Sequence, residues 1–157
     1  GQRKKGISLE QMHDIIQNFE KVLESNLLSD YLLYLIESYT HLHNKEYSQS
    51  YLYSWLIVEQ DITKKFEHIL NQKSMSSERK GKFSNHDKWS SDSKIEFLNL
   101  YGAIKDEDYT ELIGWNTKRN KFAHKGSQIN EKTAESLYNR SFEILKQELS
   151  DEMDGSD

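Results

Sequence analysis

Between Trp115 and Gly126 the chain reads Trp-Asn-Thr-Lys-Arg-Asn-Lys-Phe-Ala-His-Lys-Gly. Lys118, Arg119, Lys121 and Lys125 fall inside this stretch, with no acid between Thr117 and Gly126. His124 lies among them, and an imidazole can take or give a proton. An arginine offers a planar fork that matches two oxygens of a phosphate or carboxylate. Asn120 and His124 are four apart and share a helix face. These residue types together suit acid–base chemistry on an anionic substrate, with Arg119, Asn120 and His124 as the residues left to do it. Upstream, Asp106, Glu107, Asp108 and Glu111 carry the opposite sign. Acids at a helix start and bases at its end complement the helix dipole, which explains part of the asymmetry.

The position of Arg119 needs a further reason. Leu112, Trp115, Arg119 and Phe122 follow the spacing of an apolar helical stripe, with arginine in one of its places. A guanidinium there keeps its charge. It needs a carboxylate, a phosphate or a partner chain, or it must snorkel past the helix edge to water. Glu59 stands in the same relation to Leu52, Trp55, Leu56, Ile62, Phe66, Ile69 and Leu70. Two lone charges of opposite sign predict a buried or half-buried pair that registers two helices. In its functional form, Glu59 orients Arg119 or His124 from behind. The plainer account is a structural ion pair, or a carboxylate at the bundle edge.

Other chemistries find little support. Cysteine is absent, so there is no thiolate nucleophile, disulfide or Cys-based metal site. His13, His41, His43, His68 and His86 are scattered, with no HExxH pair and no Gly-rich phosphate loop. Neither a metal nor a cofactor is expected. No run is long enough to span a membrane. The opening Gly-Gln-Arg-Lys-Lys-Gly lacks the apolar core of a signal peptide, so the expected location is cytoplasmic. The chain opens on Gly1 rather than Met, which leads us to expect a domain of a longer chain, whose other domains would be further partners. A net charge of −5 argues against general coating of nucleic acid, yet permits a small basic pocket on an acidic body.

The elements that must position these residues are helices. There is no proline and there are only seven glycines in 157 residues, which favours long helices in one domain over residues 1–157. Ser8 and Gln11 have capping-box spacing ahead of the stripe Met12, Ile15, Ile16, Phe19, Val22 and Leu23. After a break near Asn26, a second helix presents Leu28, Leu32, Leu35, Ile36, Tyr39 and Leu42, its tyrosines at the core edge with wet hydroxyls. A third helix runs from about Ser48 to Gln72. Residues from about 73 to 91 are polar and aperiodic and predict a mobile loop. A fourth helix starts near Ser93 and stops at Gly102. A fifth, capped by Asp106, carries the cationic stretch and ends at Gly126. A sixth starts at Asn130, and the acidic tail 151–157 is expected to be disordered. The expected fold class is all-α, a bundle of four to six helices.

Arg119-Asn120-Lys121-Phe122-Ala123-His124 resembles the ribonuclease motif of HEPN domains: an arginine, four to six residues, then a histidine, often with a polar residue after the arginine. The run from Ser93-Lys94-Ile95-Glu96-Phe97-Leu98 to Gly102-Ala103-Ile104 and the acidic helix start are similar to the approach to that motif. The resemblance is sharpest over residues 93–126. It implies an antiparallel HEPN-like bundle and a metal-independent endoribonuclease, of the kind found among toxins and antiviral defence effectors. Arg119 and His124 are then catalytic and Asn120 supports them. Gly126 stands where the toxin branch paired with nucleotidyltransferase antitoxins has a tyrosine. The helical mannitol-repressor-like proteins carry a similar Arg-Asn-x-x-Ala-His run.

In physical terms, RNA brings its own nucleophile, the 2′-hydroxyl. His124 would move the proton, and Arg119 would hold the phosphate and its growing charge. One chain offers one such histidine, so a homodimer with both motifs in one cleft is expected. Lys118, Lys121 and Lys125 would hold flanking phosphates of the RNA, or simply be a solvated helix end. Two other readings stay open. One is a non-catalytic HEPN-like module that binds RNA, a nucleotide or a protein. The other is a structural, dimerising bundle.

Overall fold

The computed structural model describes residues 24–155 together with His13 and Gln17. The first expected helix, from Ser8 to Leu23, lies outside the described residues but for those two positions. The described residues form six helices: α1 (Asn26–His43), α2 (Tyr47–Asn71), α3 (Ser77–Phe83), α4 (Ser91–Leu100), α5 (Asp106–Lys125) and α6 (Glu131–Asp154). No strand occurs among them, and the chain is an all-α bundle.

The helix ends follow local chemistry. Ser25 accepts from the Leu28 amide and starts α1 at the expected break. Lys45, at a positive φ, reverses the chain into α2. Ser90, not Ser93, caps α4; its hydroxyl accepts from the Ser93 amide at 3.3 Å, which makes Ser93 the third helical residue rather than the cap. Lys105 precedes α5 without a side-chain cap bond, so Asp106 is the first helical residue and acts through the dipole. Gly126 ends α5 in the left-handed conformation, which a residue without a Cβ adopts at no steric cost. Asn130 caps α6 by accepting from the Thr133 amide at 2.8 Å.

Contact registers give the helix directions. Tyr34 faces Tyr53, Ser38 meets Ser50 and His41 meets Glu46, so α1 and α2 form an antiparallel hairpin. Tyr109 meets Glu96 and Asp106 meets Asn99, so α5 is antiparallel to α4. Asp108 meets Arg140 and Lys118 meets Thr133, so α6 is antiparallel to α5. The pairs about α2 differ. Glu59 meets Ser91, Thr63 meets Lys94 and Phe66 meets Phe97, so α4 runs with α2. Ser48 meets Gln128 and Lys64 meets Glu148, so α6 does too. The segment between α2 and α4 carries the chain back roughly 18 Å along α2, at about 1.5 Å per helical residue. That return makes the parallel pairing possible.

Three expectations change. On α1 the buried row is Leu28, Tyr31, Leu35 and Ser38, while Ile36 and Tyr39 are 53% and 45% exposed. The seam turns because Ser38 is buried against Ser50 and Ser54, bonding their hydroxyls at 3.0 and 2.6 Å. Small polar residues let α1 approach α2 closely, and an apolar pattern does not register them. In the expected loop, α3 forms over Ser77–Phe83, capped by Ser76 and anchored by Phe83 against Phe66 and Trp89. Two turns are too short for periodicity to reveal. Finally, α6 continues through Asp154 and ends at Gly155, so 151–154 belong to the helix and not to a tail.

Three tyrosines of the core differ in their hydroxyls. Tyr51 donates to the Trp115 carbonyl at 2.5 Å and fastens α5 to α2. The Tyr31 hydroxyl, expected to be wet, is fully buried without a partner, as is that of Tyr138. Tyr51→Phe should therefore cost about 1 kcal/mol in urea unfolding, the net worth of one hydrogen bond. Tyr31→Phe should be neutral or stabilising, because it removes an unpaired buried hydroxyl. Burial raises the pKa of all three phenols above the ordinary 10.0, and nearby Asp61 and Glu148 add to the effect at Tyr31. The folded chain keeps these protons where the unfolded chain releases them. Stability from this source is complete below about pH 10 and is lost as pH rises through the elevated folded values. The urea midpoint should be flat up to that pH and fall above it, and less steeply in Tyr31→Phe.

Candidate functional site

The fifth helix meets three environments as it turns. Leu112 and Trp115 enter the core, and Asn116 is buried beside them. Arg119 and Asn120 are half-buried, while Lys118, Lys121, His124 and Lys125 are exposed. The Tyr51 bond to the Trp115 carbonyl sets the rotation of the helix, since it holds the turn just before Arg119.

Asn116, Arg119 and Asn120, at spacings of three and four, form one face. They line one wall of a cleft of about 740 Å³. The α2 wall presents Glu59, Thr63 and Lys64; the α4 side presents Ser91 and Lys94; Trp89 and His86 come from the segment before α4. The Arg119 guanidinium donates to Asn120 Oδ1 at 3.0 Å. Glu59 lines the same cleft but makes no ion pair with Arg119 among the described residues; Ser91 Oγ donates to it at 2.6 Å.

His124 is not on this wall. The helix continues unbroken through Lys125, and five residues of a regular helix turn His124 well away from the side that Arg119 occupies. Within one chain they do not converge. The expected RNA-binding lysines form a row of their own, Lys118, Lys121 and Lys125, again at spacings of three and four. That row points away from the cleft, and Lys118 donates to Thr133 on α6 at 3.3 Å. Among the residues expected to act together, the cleft therefore gathers Arg119, Asn120 and Glu59, and leaves out His124 and the three lysines.

Sequence reasoning passed over Lys94 and Asn116, which are 7% and 5% exposed and line the cleft. The signal for Lys94 was available: it adjoins Ile95 and precedes Leu98 by four, a cation on an apolar row like Arg119. Asn116 gave no comparable signal. Lys64 is also paired in an unforeseen way, with Nζ 2.5 and 2.6 Å from the two Glu148 oxygens. No group of three His, Asp or Glu side chains able to hold a metal occurs among the described residues. No helix among them is long and apolar enough to cross a membrane.

The arrangement offers an anion grip in an open cleft and, at the end of the same helix, a free imidazole. Comparison with family models, with curated proteins and with solved structures finds no match to this chain.

Proposed function

We propose that the chain is a metal-independent endoribonuclease of the HEPN class, working as a homodimer. The observation that carries this reading is the division of labour on α5. Arg119 is steadied by Asn120 at the wall of an open cleft, and His124 stands exposed in the last turn, free to meet a second copy. Two copies related by a two-fold axis would bring the arginine of one toward the histidine of the other.

The reaction needs no outside nucleophile. The RNA 2′-oxygen gives up its proton to one His124 and bonds to the adjacent phosphorus. The bond from phosphorus to the 5′-oxygen breaks, and a proton from the other subunit's imidazole goes to that leaving oxygen. Arg119 holds the phosphate oxygens as negative charge builds on them. The products are a 2′,3′-cyclic phosphate and a 5′-hydroxyl. Lys121 and Lys125, exposed on the neighbouring face, would take flanking phosphates. Such an activity in the cytoplasm suits a toxin or an antiviral defence effector.

A second reading draws on the absence of His124 from the cleft. It is a non-catalytic HEPN-like module that binds RNA, a nucleotide or a partner protein.

Cleavage of RNA by the dimer in the presence of EDTA tests the proposal. The wild type should cut, leaving cyclic phosphate ends. Arg119→Ala and His124→Ala should each slow cleavage by at least about 100-fold while remaining folded. A dimer mixed from wild type and His124→Ala should cut more slowly than wild type, because it keeps only one of the two imidazoles. A wild type that binds RNA but never cuts it would leave only the second reading.

A further inference from the structure

Lys94 is a buried cation without a buried anion. Its Nζ donates to Thr63 Oγ1 at 3.1 Å and lies 5.8 Å from the centre of the Phe66 ring. An ammonium has three donors, and this contact uses one. Lys94 makes no ion pair with a carboxylate among the described residues. The other charges near it are accounted for. Lys64 is neutralised by Glu148, Glu59 accepts from Ser91, and Glu67 and Asp92 are exposed at the rim. Charge is rarely buried unless something compensates it. The open side of Lys94 is the cleft, where a ligand can supply the missing acceptors.

Asn116 adds an independent observation. It is buried, lines the same cleft, and has no hydrogen-bond partner among the described residues. The side-chain atoms sealed in protein without a partner belong to Tyr31, Trp55 and Tyr138, so the Asn116 amide opens into the cleft. It presents both a donor and an acceptor there. Trp89 supplies an aromatic wall. Its ring is braced by Phe66 and Phe83, each with a centroid at 5.1 Å, and edge-on by Phe97 at 6.1 Å. A ring held on several sides and half-open to a cleft is a ready surface for a planar base. The volume, about 740 Å³, lies in the range of small-molecule sites.

We infer that the cleft between α2, α4 and α5 binds one nucleotide, with its phosphate on Lys94 and Arg119 and its base between Asn116 and Trp89. A bare phosphate would leave the amide and the indole without a role. Glu59, with one oxygen held by Ser91, has its other oxygen to accept from a ribose hydroxyl. Assigning that nucleotide to an RNA strand rests on the ribonuclease reading; the binding chemistry does not.

Tryptophan fluorescence tests the site. Trp55 and Trp115 are 1% and 7% exposed, so quenching by an added ligand reports on Trp89. The probes are 5′-UMP and 5′-AMP, inorganic phosphate, and a 2′-O-methylated oligonucleotide, which cannot be cut by 2′-hydroxyl attack. Saturable quenching by the mononucleotides or the oligonucleotide is expected, with Kd raised at least about tenfold in Lys94→Met and in Asn116→Leu. Response to mononucleotide points to a free nucleotide as sufficient ligand, and response to the oligonucleotide alone points to a strand; either supports the site. Calorimetry on Trp89→Phe should show weaker binding without relying on the indole signal. Equal affinity for inorganic phosphate and nucleotide would overturn the inference, as would absence of saturable binding or a Kd unmoved by Lys94→Met. Binding that survives in a protein that never cuts RNA would leave this site standing and defeat the ribonuclease reading.

Discussion

The architecture depends on enclosing α2. Its 25 residues bury Tyr51, Trp55, Val58, Ile62, Phe66 and Ile69 along one apolar stripe, and Ser50, Ser54 and Ile57 on a second side. A helix buried on two sides has to be packed by neighbours on both. The α1, α4, α5 and α6 helices do this, each approaching α2 from its own side. Two of them run parallel to it, which costs the chain a long return segment. Glu59, Gln60, Thr63 and Lys64 are among the polar residues of α2, and they form one wall of the cleft. The cleft thus lies along a side of the central helix that the bundle does not close.

Polar groups near such a helix must each find a partner, and the structure satisfies them unequally. Ser38, Ser50 and Ser54 satisfy one another where α1 crosses α2. Lys64 and Glu148 form a pair across α2 and α6, with Glu148 buried and Lys64 reaching solvent, so a good part of the attraction is screened. Glu59 is held by a hydroxyl and not by a cation. Lys94 and Asn116 sit at the other extreme, buried and short of partners. The sealed polar atoms of Tyr31, Trp55 and Tyr138 are beyond the reach of any ligand. The unmet needs of Lys94 and Asn116 instead meet in one open cleft, which is where binding chemistry gathers.

Much of this was legible in the residues, and the gaps have physical causes. Absence of proline and regular apolar spacing pointed to helices, and Gly126 and Asn130 marked two of their boundaries correctly. The odd placement of Glu59 and Arg119 in apolar rows signalled half-burial, but the pair expected of them does not form among the described residues. The placement did not identify their partners, because a row position specifies a face but not which helix lies opposite. The α1 seam was misjudged because Ser38 is buried by close helix approach, a property of the pair and not of the serine. The α3 helix escaped notice because Phe83 alone anchors it. Burial of Asn116 depends on how three helices converge, and no local pattern carries that.

The continuity of α5 limits what its motif can do. In the helical projection Asn116 sits between Arg119 and Asn120; His124 comes next beyond Asn120, and Lys121 and Lys125 follow it on the far side. The order around the helix is therefore cleft, imidazole, lysine row. A strand anchored in the cleft and heading for the lysines must pass over His124, at the exposed end of the helix. That path would, on the ribonuclease reading, give the histidine a phosphate to work on even though it never enters the cleft. On the ribonuclease reading, the separation of Arg119 from His124 is then a consequence of dividing grip and proton transfer between two copies, and a straight helix is what maintains it.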